Sequence, residues 1–264
     1  MSGPADPRQR WAQSFGGDAA RYDRARPRYP REMVERIVAA CPGTDILDVG
    51  CGTGIAARQF QEAGCRVLGV EVDPRMADEA RRLGLEVEVA PFEEWESAER
   101  VFDAVVAGQA WHWVDPLAGA SKAAQALRAG GRLAVFWNVF QPPPDVADRF
   151  SEVNRRVLSG PLAGTWSRPA LDGYAPLFAK AADGIGRAGG FGQVEEWRYE
   201  WDWSYTRETW LDQVPTFGGH SQLAPEQLAE LLGGLGEAVD AVGGSFTMGY
   251  TTVVVTAVRG GARG

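Results

Sequence analysis

The sequence has few of the features that suit secretion, a membrane or a structural metal. Its three cysteines, Cys41, Cys51 and Cys65, are an odd number without metal-ligand spacing, which argues against a disulfide framework and a zinc site. No apolar run approaches the roughly eighteen residues of a membrane helix, and the opening MSGPADPRQRW lacks the apolar core of a signal peptide. We therefore expect a cytoplasmic protein with reduced thiols and without a membrane partner.

Clustered positive charge is also scarce. The formal net charge is -8, and phosphate backbones are bound by clustered Lys and Arg, so nucleic acid is not expected as a partner. The exception is a short arginine-rich stretch that also contains Tyr22 and Tyr29 and is formed by Arg21, Arg24, Arg26, Arg28 and Arg31. This stretch is either a solvated basic segment or a local site for an anion such as a carboxylate.

The first half of the chain shows a regular alternation of short apolar runs and helical patterns. The predicted strands are Asp45–Val49, Arg66–Glu71, Leu85–Ala90, Phe102–Ala107 and Arg132–Phe136, and the predicted helices are Ile55–Ala63, Arg75–Leu83 and Pro116–Leu127. Asp73 and Pro74 suit the start of the second helix, and Gly130-Gly131 suits the end of the third. Such alternation predicts an α/β fold with a parallel sheet and right-handed crossovers.

The second half breaks this rhythm, because prolines interrupt a stretch rich in aromatic residues. Alternating aromatic and polar residues predict a strand with one aromatic face from Trp197 to Ser204. Two helices near Pro225–Leu232 and Leu235–Val242 and a last strand over Thr251–Val258 should follow. We expect a single domain with an N-terminal lid over 1–40, a ligand-binding core over 41–138, a cap insertion over 139–192 and a C-terminal part over 193–264 that completes sheet and cap.

A glycine-rich turn after the first strand is the strongest functional signal. Gly50, Gly52 and Gly54 lie between a strand and a helix, where backbone without side chains can approach a nucleotide-like ligand closely. The second strand ends in Glu71, whose carboxylate could accept hydrogen bonds from ribose hydroxyls. A turn that serves only tight packing is the alternative.

The spacing of these glycines distinguishes between cofactors. It is G-x-G-x-G, whereas dinucleotide-binding turns have G-x-G-x-x-G with a helix N-terminus aimed at a pyrophosphate. Asp48 stands directly before the turn, where it would repel a pyrophosphate and would suit an ammonium group. An NAD-linked oxidoreductase therefore remains a weaker alternative.

The same segments resemble class I S-adenosylmethionine-dependent methyltransferases. ILDVGCGTG followed by GVEVDPRM resembles their first two motifs, and FDAVVAGQAWHWVDP and LRAGGRLAVFWN extend the similarity over about residues 22–138. YDRARPRYP and Trp111-His112-Trp113 resemble the type 11 small-molecule group, which includes trans-aconitate methyltransferases. The resemblance implies a Rossmann-like, doubly wound, mostly parallel seven-stranded sheet with an antiparallel last strand. It also implies S-adenosylmethionine as cofactor and S-adenosylhomocysteine as product.

The resemblance assigns the cofactor site. It puts the turn around the methionine part, Glu71 on the ribose, and Val72, Met76 and Phe92 at the adenine. The implied cofactor-binding residues are Asp48, Gly50, Gly52, Gly54, Glu71, Val72, Met76, Phe92, Ala107 and Gln109. Where the family has an aspartate for the adenine amino group, this chain has Ala90-Pro91-Phe92-Glu93, and proline offers neither a carboxylate nor a backbone donor. That contact is therefore not carried over.

His112 is the candidate catalytic base for methyl transfer. It follows the fourth strand at the rim where such folds bind ligands, and a histidine can take a proton near neutral pH. A neutral hydroxyl acceptor needs such a base and a carboxylate acceptor does not, so both acceptors stay open. A His112 that only hydrogen-bonds between its flanking tryptophans is the alternative, while His220, between Gly219 and Ser221, is expected in a surface turn.

The expected partner of the site is a small molecule, and a homodimer is compatible with the sequence. The candidate substrate-binding residues are Tyr22, Arg26, Tyr29, Trp111, Trp113 and Trp166. Arg26 and Tyr29 could clamp a carboxylate of the cofactor or of the substrate. The tryptophans, together with Phe140, Tyr174, Phe178 and the aromatic strand, could equally be ordinary core.

Other classes of methyltransferase would require different residues at these positions. A nucleic-acid adenine methyltransferase should carry Asn-Pro-Pro-aromatic after the fourth strand, where this chain has Gln109-Ala110-Trp111-His112. No carboxylate cluster suits the magnesium of the catechol type, so no metal is expected. A non-catalytic adenosylmethionine-binding module that docks a partner remains open.

Overall fold

A seven-stranded sheet organises the chain in the computed structural model, which describes residues 13–166 and 170–260. The strands are β1 (Asp45–Val49), β2 (Arg66–Glu71), β3 (Glu86–Val89), β4 (Phe102–Gly108), β5 (Leu127–Gln141), β6 (Glu195–Thr206) and β7 (Ser245–Val258). Their order is β3-β2-β1-β4-β5-β7-β6, with β7 antiparallel to both of its neighbours and the first five strands parallel. The predicted Rossmann-like α/β fold with an antiparallel last strand is confirmed.

Nine α-helices lie within the described ranges. They are α1 (Ala19–Ala25), α2 (Arg31–Ala39), α3 (Ile55–Glu62), α4 (Pro74–Arg82), α5 (Pro116–Ala126), α6 (Pro144–Val157), α7 (Ala170–Ala188), α8 (Arg207–Gln213) and α9 (Pro225–Asp240). Short 3-10 helices cover Gln13–Asp18, Trp111–Trp113, Gly160–Gly164, Val214–Thr216 and His220–Gln222. The sequence MSGPADPRQRW and the first part of the expected lid lie outside the described residues. No helix of the described parts is both long and apolar enough to cross a bilayer.

Both faces of the sheet are covered by helices, because its parallel strands are apolar on both sides. One core cluster joins Val105 and Leu133 of the sheet to α5 and α7 through residues such as Ala123 and Ile185. The second cluster packs α2, α3 and α4 on the opposite face, with Phe60 fully buried. This double covering leaves the carboxyl ends of the parallel strands as the place for a ligand.

A third apolar cluster forms the cap above those strand ends. It joins α6, α8 and α9 to the far ends of β6 and β7, and Phe150 stacks on Trp210 with ring centroids 5.2 Å apart. Trp166 packs beside both rings, at 5.5 and 5.9 Å. The cap is thus built from two chain segments that are distant in sequence, one before α7 and one between β6 and β7.

Two details of the predicted elements are wrong. Gly130 and Gly131 do not end the third helix: α5 ends at Ala126 and the chain enters β5 at once, with Gly130 (φ 79) inside the strand where the register with β4 is irregular. The two helices predicted near residues 225–242 are one continuous helix, α9. Its Gly234 lets Val153 of α6 come close, since a Cβ there would lie 2.8 Å from the Val153 Cγ1 atom.

Strand β6 forms one edge of the sheet, and β3 forms the other. Along β6 the predicted alternation holds in part, because Trp197 is buried while Trp203 is 47% exposed. Five of its other ten residues are charged and exposed, namely Glu195, Glu196, Arg198, Glu200 and Asp202. The edge strand therefore presents charge to solvent over much of its length.

Helix α7 offers a matched pair of glycines to test how closely the helices pack. A Cβ on buried Gly184 would lie 2.4 Å from the carbonyl oxygen of Pro116, whereas one on exposed Gly186 would meet nothing within 4 Å. We expect Gly184→Ala to lower the free energy of unfolding by about 1–3 kcal/mol through overpacking. Gly186→Ala should be neutral or should raise it by up to about 1 kcal/mol. Urea unfolding measures both, and equal effects would contradict the packing described here.

Candidate functional site

A cavity of about 360 Å³ opens at the carboxyl ends of β1, β2 and β4. Its strand end is lined by Val49, Gly50, Gly52, Val70, Glu71, Val72, Met76, Ala90, Pro91, Phe92, Glu93 and Gly108. Its cap end is lined by Tyr22, Arg26, His112, Trp113, Phe140, Asn154, Leu162, Trp166, Tyr174, Phe217 and His220. One continuous space therefore joins the sheet to the cap.

The glycine turn lines the strand end with bare backbone. Gly50 and Gly52 have φ values of 64 and 56, in the left-handed region that favours glycine. A Cβ on Gly50 would lie 2.5 Å from the Cβ of Ala110, so a side chain has no room there. Gly54 (φ 85) stands at the start of α3 and does not line the cavity. The first two glycines keep the cavity open, and the third turns the chain into the helix.

Glu71 ties the turn to the end of β2. One carboxylate oxygen accepts from the Gly52 amide at 2.8 Å, and the other accepts from the amides of Val72 and Asp73, both at 2.9 Å. Burial raises the pKa of this carboxyl, and the three amides oppose that rise. A carboxylate has about four acceptor positions, so Glu71 can brace two loops and still accept a hydroxyl from the cavity.

Asp48 lies directly behind the turn, and its surroundings indicate whether the site suits a positively charged ligand group. It is 1% exposed, and neither of its carboxylate oxygens has a hydrogen-bond partner of good distance and angle among the described residues. The backbone amide of Ala57 in α3 is near enough only to oppose the rise of its pKa. Burial, with a contribution from the nearby charge of Glu71, raises its pKa to about 8. A buried carboxylate without a partner is costly, and an ammonium group next to the turn would lower that cost. The residues therefore fit the amino acid part of S-adenosylmethionine.

This unpaired carboxyl should make the stability of the ligand-free protein depend on pH. The pKa of Asp48 is raised in the fold, so between about pH 4 and 8 the folded state holds a proton that the unfolded state has released, and stability falls as the pH rises. The slope approaches about 1.4 kcal/mol per pH unit for one group. Thermal unfolding of the wild type and of Asp48→Asn, from pH 5 to 8, measures it. The lowered pKa values of His112 and His220 act in the opposite direction below about pH 6.5, so the quantity to compare is the difference between the two proteins. The slope of the wild type should be more negative than that of Asp48→Asn by up to about 1.4 kcal/mol per pH unit, and equal slopes would contradict the assignment.

Of the other residues predicted to bind the cofactor, some line the cavity and one lies in the hydrophobic core. Val72, Met76 and Phe92 line the strand end, while Ala107 is 1% exposed and belongs to the core. Gln109 lines the cavity with a φ of 57, which is uncommon for a residue other than glycine. Its side-chain amide donates to the carbonyl of Asn138 at 3.0 Å, a bond that holds this backbone in place.

His112 lies on the cavity wall with its ring largely buried. The indole N–H of Trp137 donates to Nδ1 of His112 at 3.2 Å, and burial lowers the pKa of the imidazole to about 4. Because Nδ1 accepts a hydrogen bond, the neutral ring carries its proton on Nε2. At neutral pH the ring is uncharged and its Nε2 offers a proton rather than a lone pair. This arrangement counts against the sequence-based hypothesis that His112 is the base.

The predicted substrate-binding residues are brought together only in part. Tyr22, Arg26, Trp113 and Trp166 line the cavity, and the first two come from the N-terminal segment. Trp111, 2% exposed, lies in the core instead. Tyr29 packs edge-on against Phe136 at 4.7 Å and borders a separate small depression of about 30 Å³.

Within the arginine-rich stretch, Arg26 differs from its neighbours. Arg21 and Arg24 both pair with Asp212 of α8, and the remaining two pair with carboxylates of their own segment. Arg26 instead donates to Thr216, to the side chain at 2.9 Å and to the carbonyl at 2.5 Å, and lies over the ring of Phe217. No carboxylate of the described ranges forms an ion pair with it. The guanidinium of Arg26 therefore lies at the cap end of the cavity without an acidic partner among the described residues.

Several cap-end residues were missed by the sequence analysis. His220, expected at the surface, is 6% exposed and lines the cavity, and its Nδ1 lies 2.8 Å from the carbonyl oxygen of Val214. The predicted turn is present, because Gly219 has a φ of 85, but Phe217 and the N-terminal segment cover it. Asn154 of α6 is 2% exposed, and its Oδ1 has no hydrogen-bond partner in the described structure. In the described ranges no three His, Cys, Asp or Glu side chains are grouped to hold a metal ion.

Comparison with known proteins finds sequence similarity in the sheet half of the molecule. Residues 47–135 match the family described as a methyltransferase domain. An uncharacterized methyltransferase of Mycobacterium tuberculosis is 39% identical over 128 residues, which cover 47% of this chain and 52% of the relative. The chain thus spans about half the length of the curated relatives that it matches. A malonyl-[acyl-carrier protein] O-methyltransferase of Enterobacter lignolyticus is 28% identical over 204 residues, covering 66% of this chain and 78% of that relative.

A solved structure extends the likeness to the whole fold. A methyltransferase from Anaeromyxobacter dehalogenans superimposes with a TM-score of 0.63 over 88% of this chain and 97% of its own length, at 20% identity. At that identity the likeness concerns the fold alone. Because it covers 88% of the chain, it extends well beyond residues 47–135.

Proposed function

We propose that this chain, whose residues 47–135 match a methyltransferase domain family, transfers a methyl group from S-adenosylmethionine to an oxygen of a small organic acceptor. The observation that carries the proposal is the single cavity that joins the glycine turn and Glu71 to an aromatic cap. A protein that only binds the cofactor has less need to enclose a second ligand. The core over 41–138 would hold the cofactor, and the cap over 139–192 with the C-terminal part would enclose the acceptor.

The strand end suits the cofactor for three separate reasons. The turn exposes its backbone to the cavity at Gly50 and Gly52. Glu71 can accept one more hydrogen bond from the cavity, and the buried carboxyl of Asp48 would be stabilised by a positively charged ligand group. Val72, Met76 and Phe92 supply apolar surface for the adenine ring. When bound there, S-adenosylmethionine supplies a methyl group already activated by a sulfonium. The residues of this chain then need to align the acceptor and exclude water.

The cap end suits an acceptor that combines apolar surface with oxygen. Phe140, Trp166 and Phe217 form an aromatic wall, in which the rings of Phe140 and Phe217 stack at 5.7 Å. Arg26 and the Nε2–H of His112 are donors that an oxygen atom can accept from. Oxygen as the acceptor atom also agrees with the name of the O-methyltransferase relative. A hydroxyl and a carboxylate are both compatible with these donors.

Two measurements test the proposal in sequence. Calorimetric titration with S-adenosylmethionine, S-adenosylhomocysteine and NAD should show micromolar binding of the two adenosyl ligands only. Methyl transfer from labelled S-adenosylmethionine to a panel of aromatic acids and phenols should then give a methyl ether or ester. Binding of NAD alone would refute the proposal, and tight adenosyl binding without turnover on any acceptor would favour a binding module.

A further inference from the structure

Two histidine rings border the acceptor space, and they are held in opposite hydrogen-bonding states. At His112 the ring nitrogen Nδ1 accepts from the indole of Trp137 at 3.2 Å, which leaves the proton on Nε2. At His220 the nitrogen Nδ1 lies 2.8 Å from a backbone carbonyl, which can only accept, so the proton is on Nδ1 and the lone pair is on Nε2. Because these are the two histidines of the chain, the cavity has one imidazole donor and one imidazole acceptor.

From this arrangement we propose that His220 is the general base of the site and that His112 is a hydrogen-bond donor to the acceptor molecule. The inference rests on the proposed methyl transfer and deepens it, because a base is needed only for a protonated acceptor. The acceptor class is then a hydroxyl on an apolar molecule rather than a carboxylate. The roles of base and donor are thus divided between two histidines that come from different segments of the chain, one after β4 and one after α8.

The fixed Nδ1–H bond makes His220 suitable as a base. A histidine whose Nδ1–H is held by an acceptor directs its Nε2 lone pair at the substrate, the arrangement that serves general bases elsewhere. Burial is the main factor that lowers the pKa of His220, and the positive charge of Arg26 lowers it further. The ring is therefore neutral at pH 7 and able to take a proton. No described group pairs with Nε2.

Asn154 provides independent support for a ligand that donates hydrogen bonds. Its Oδ1 is buried without a partner among the described residues, on the same cap end, while its Nδ2 donates to the carbonyl of Leu162 at 3.2 Å. An amide oxygen can only accept, so it is satisfied by an O–H or N–H of the bound molecule. A carboxylate acceptor, which has no proton to donate at neutral pH, would leave both Asn154 and His220 unsatisfied.

Methyl transfer to the hydroxyl needs no reactant other than the acceptor and S-adenosylmethionine. The acceptor oxygen forms a bond to the methyl carbon while the bond from that carbon to sulfur breaks, and its electron pair stays on sulfur. The hydroxyl proton passes to Nε2 of His220, and the resulting imidazolium later releases it to solvent. His112 meanwhile donates from Nε2 to a second lone pair of the acceptor and does not change its protonation.

The first test is spectroscopic and needs no acceptor. The full-length protein with ¹⁵N-labelled histidine, saturated with S-adenosylhomocysteine at pH 7, should show one ring protonated on Nε2 and the other on Nδ1. His112→Gln and His220→Gln assign the two sets of signals. Trp137→Phe should release the tautomer of His112 and leave that of His220 unchanged. Two rings with the same tautomer would overturn the proposal.

The second test is kinetic and uses 4-hydroxybenzoate and benzoate, within a wider panel of phenols and acids. His220→Gln should lower kcat for a hydroxyl acceptor by about 100-fold or more with little change in KM. His112→Gln, which keeps an N–H near the position of Nε2, should stay within about 10-fold of the wild type, whereas His112→Ala should raise KM.

Each outcome of the kinetic test is decisive. An active His220→Gln or methylation of benzoate would contradict the assignment of the base. A wild type that does not bind the adenosyl ligands, or that binds them and methylates no acceptor, would instead refute the proposed function, so the two failures are distinguishable. Unchanged adenosyl binding in both glutamine variants shows that they remain folded.

Discussion

Glu71→Gln is expected to weaken the binding of S-adenosylmethionine by about 100-fold. The glutamine keeps one acceptor oxygen but places an NH2 group where the carboxylate now accepts from backbone amides of the turn or of the following loop. Hydrogen bonds to a charged group contribute about 1.5–3 kcal/mol each, and losing one of them together with the contact to the ribose gives a loss near 3 kcal/mol. Calorimetry with S-adenosylmethionine measures this effect directly.

Glu93→Gln is the matched control for that experiment. Glu93 also lines the strand end, but a single amide, that of Asp115, donates to its Oε1 at 2.8 Å, and a glutamine oxygen can accept the same bond. Its binding should change by less than about 5-fold. If both variants bound equally well, Glu71 would have no special role. If both lost binding together with their thermal transition, the result would reflect folding instead.

Gly50→Ala is expected to abolish measurable cofactor binding. The alanine would have to adopt a φ of 64, which costs about 1–2 kcal/mol for a residue with a Cβ, and that Cβ would lie 2.5 Å from the Cβ of Ala110. Relief of the clash must move either the turn or the segment after β4, and both line the cavity. A thermal shift with S-adenosylhomocysteine, absent in the variant and present in the wild type, is the readout.

Two further variants separate the causes of that loss. Gly64→Ala has the same left-handed requirement, with a φ of 89, but its Cβ would meet nothing within 4 Å, so it should lower stability and leave binding intact. Ala110→Gly in the Gly50→Ala background removes the clashing atom and should restore part of the binding. Full binding by Gly50→Ala alone would show that the turn is not close to the ligand.

The sequence predicts the sheet half of the molecule well because its signals are local. Strands β1 and β2 begin and end at the predicted residues, and Asp73 caps α4 by accepting from the amide of Arg75 at 3.0 Å, as expected. The glycine spacing and the acid at the end of β2 lie within about twenty-five residues of each other, where backbone geometry alone brings them together. Prediction of the fold and of the glycine turn needed no long-range contact.

The part of the site formed by the cap could not be predicted, because its contacts join segments that are distant in the sequence. Asn154 and His220 meet at one cavity through α6 and a short turn after α8, and nothing near either residue in the sequence indicates the other. The state of His112 depends on Trp137, a residue of the next strand that the sequence presents only as apolar. The position of a histidine in a motif can therefore be predicted from the sequence. Which of its ring nitrogens carries the proton can be inferred only when its hydrogen-bond partner is known.

The charged edge strand has a consequence for assembly. A long strand with unpaired amides can template the addition of strands from other copies, which is a route to aggregation and fibrils. Here β6 presents Glu196, Arg198, Glu200 and Asp202 along its outer course, and the opposite edge, β3, is only four residues long. Three of these four side chains are acidic, so a second copy that pairs with β6 would bring two strands of net negative charge together. Charge at one edge and a short strand at the other therefore disfavour growth of the sheet, which favours surfaces other than its edges for any self-association.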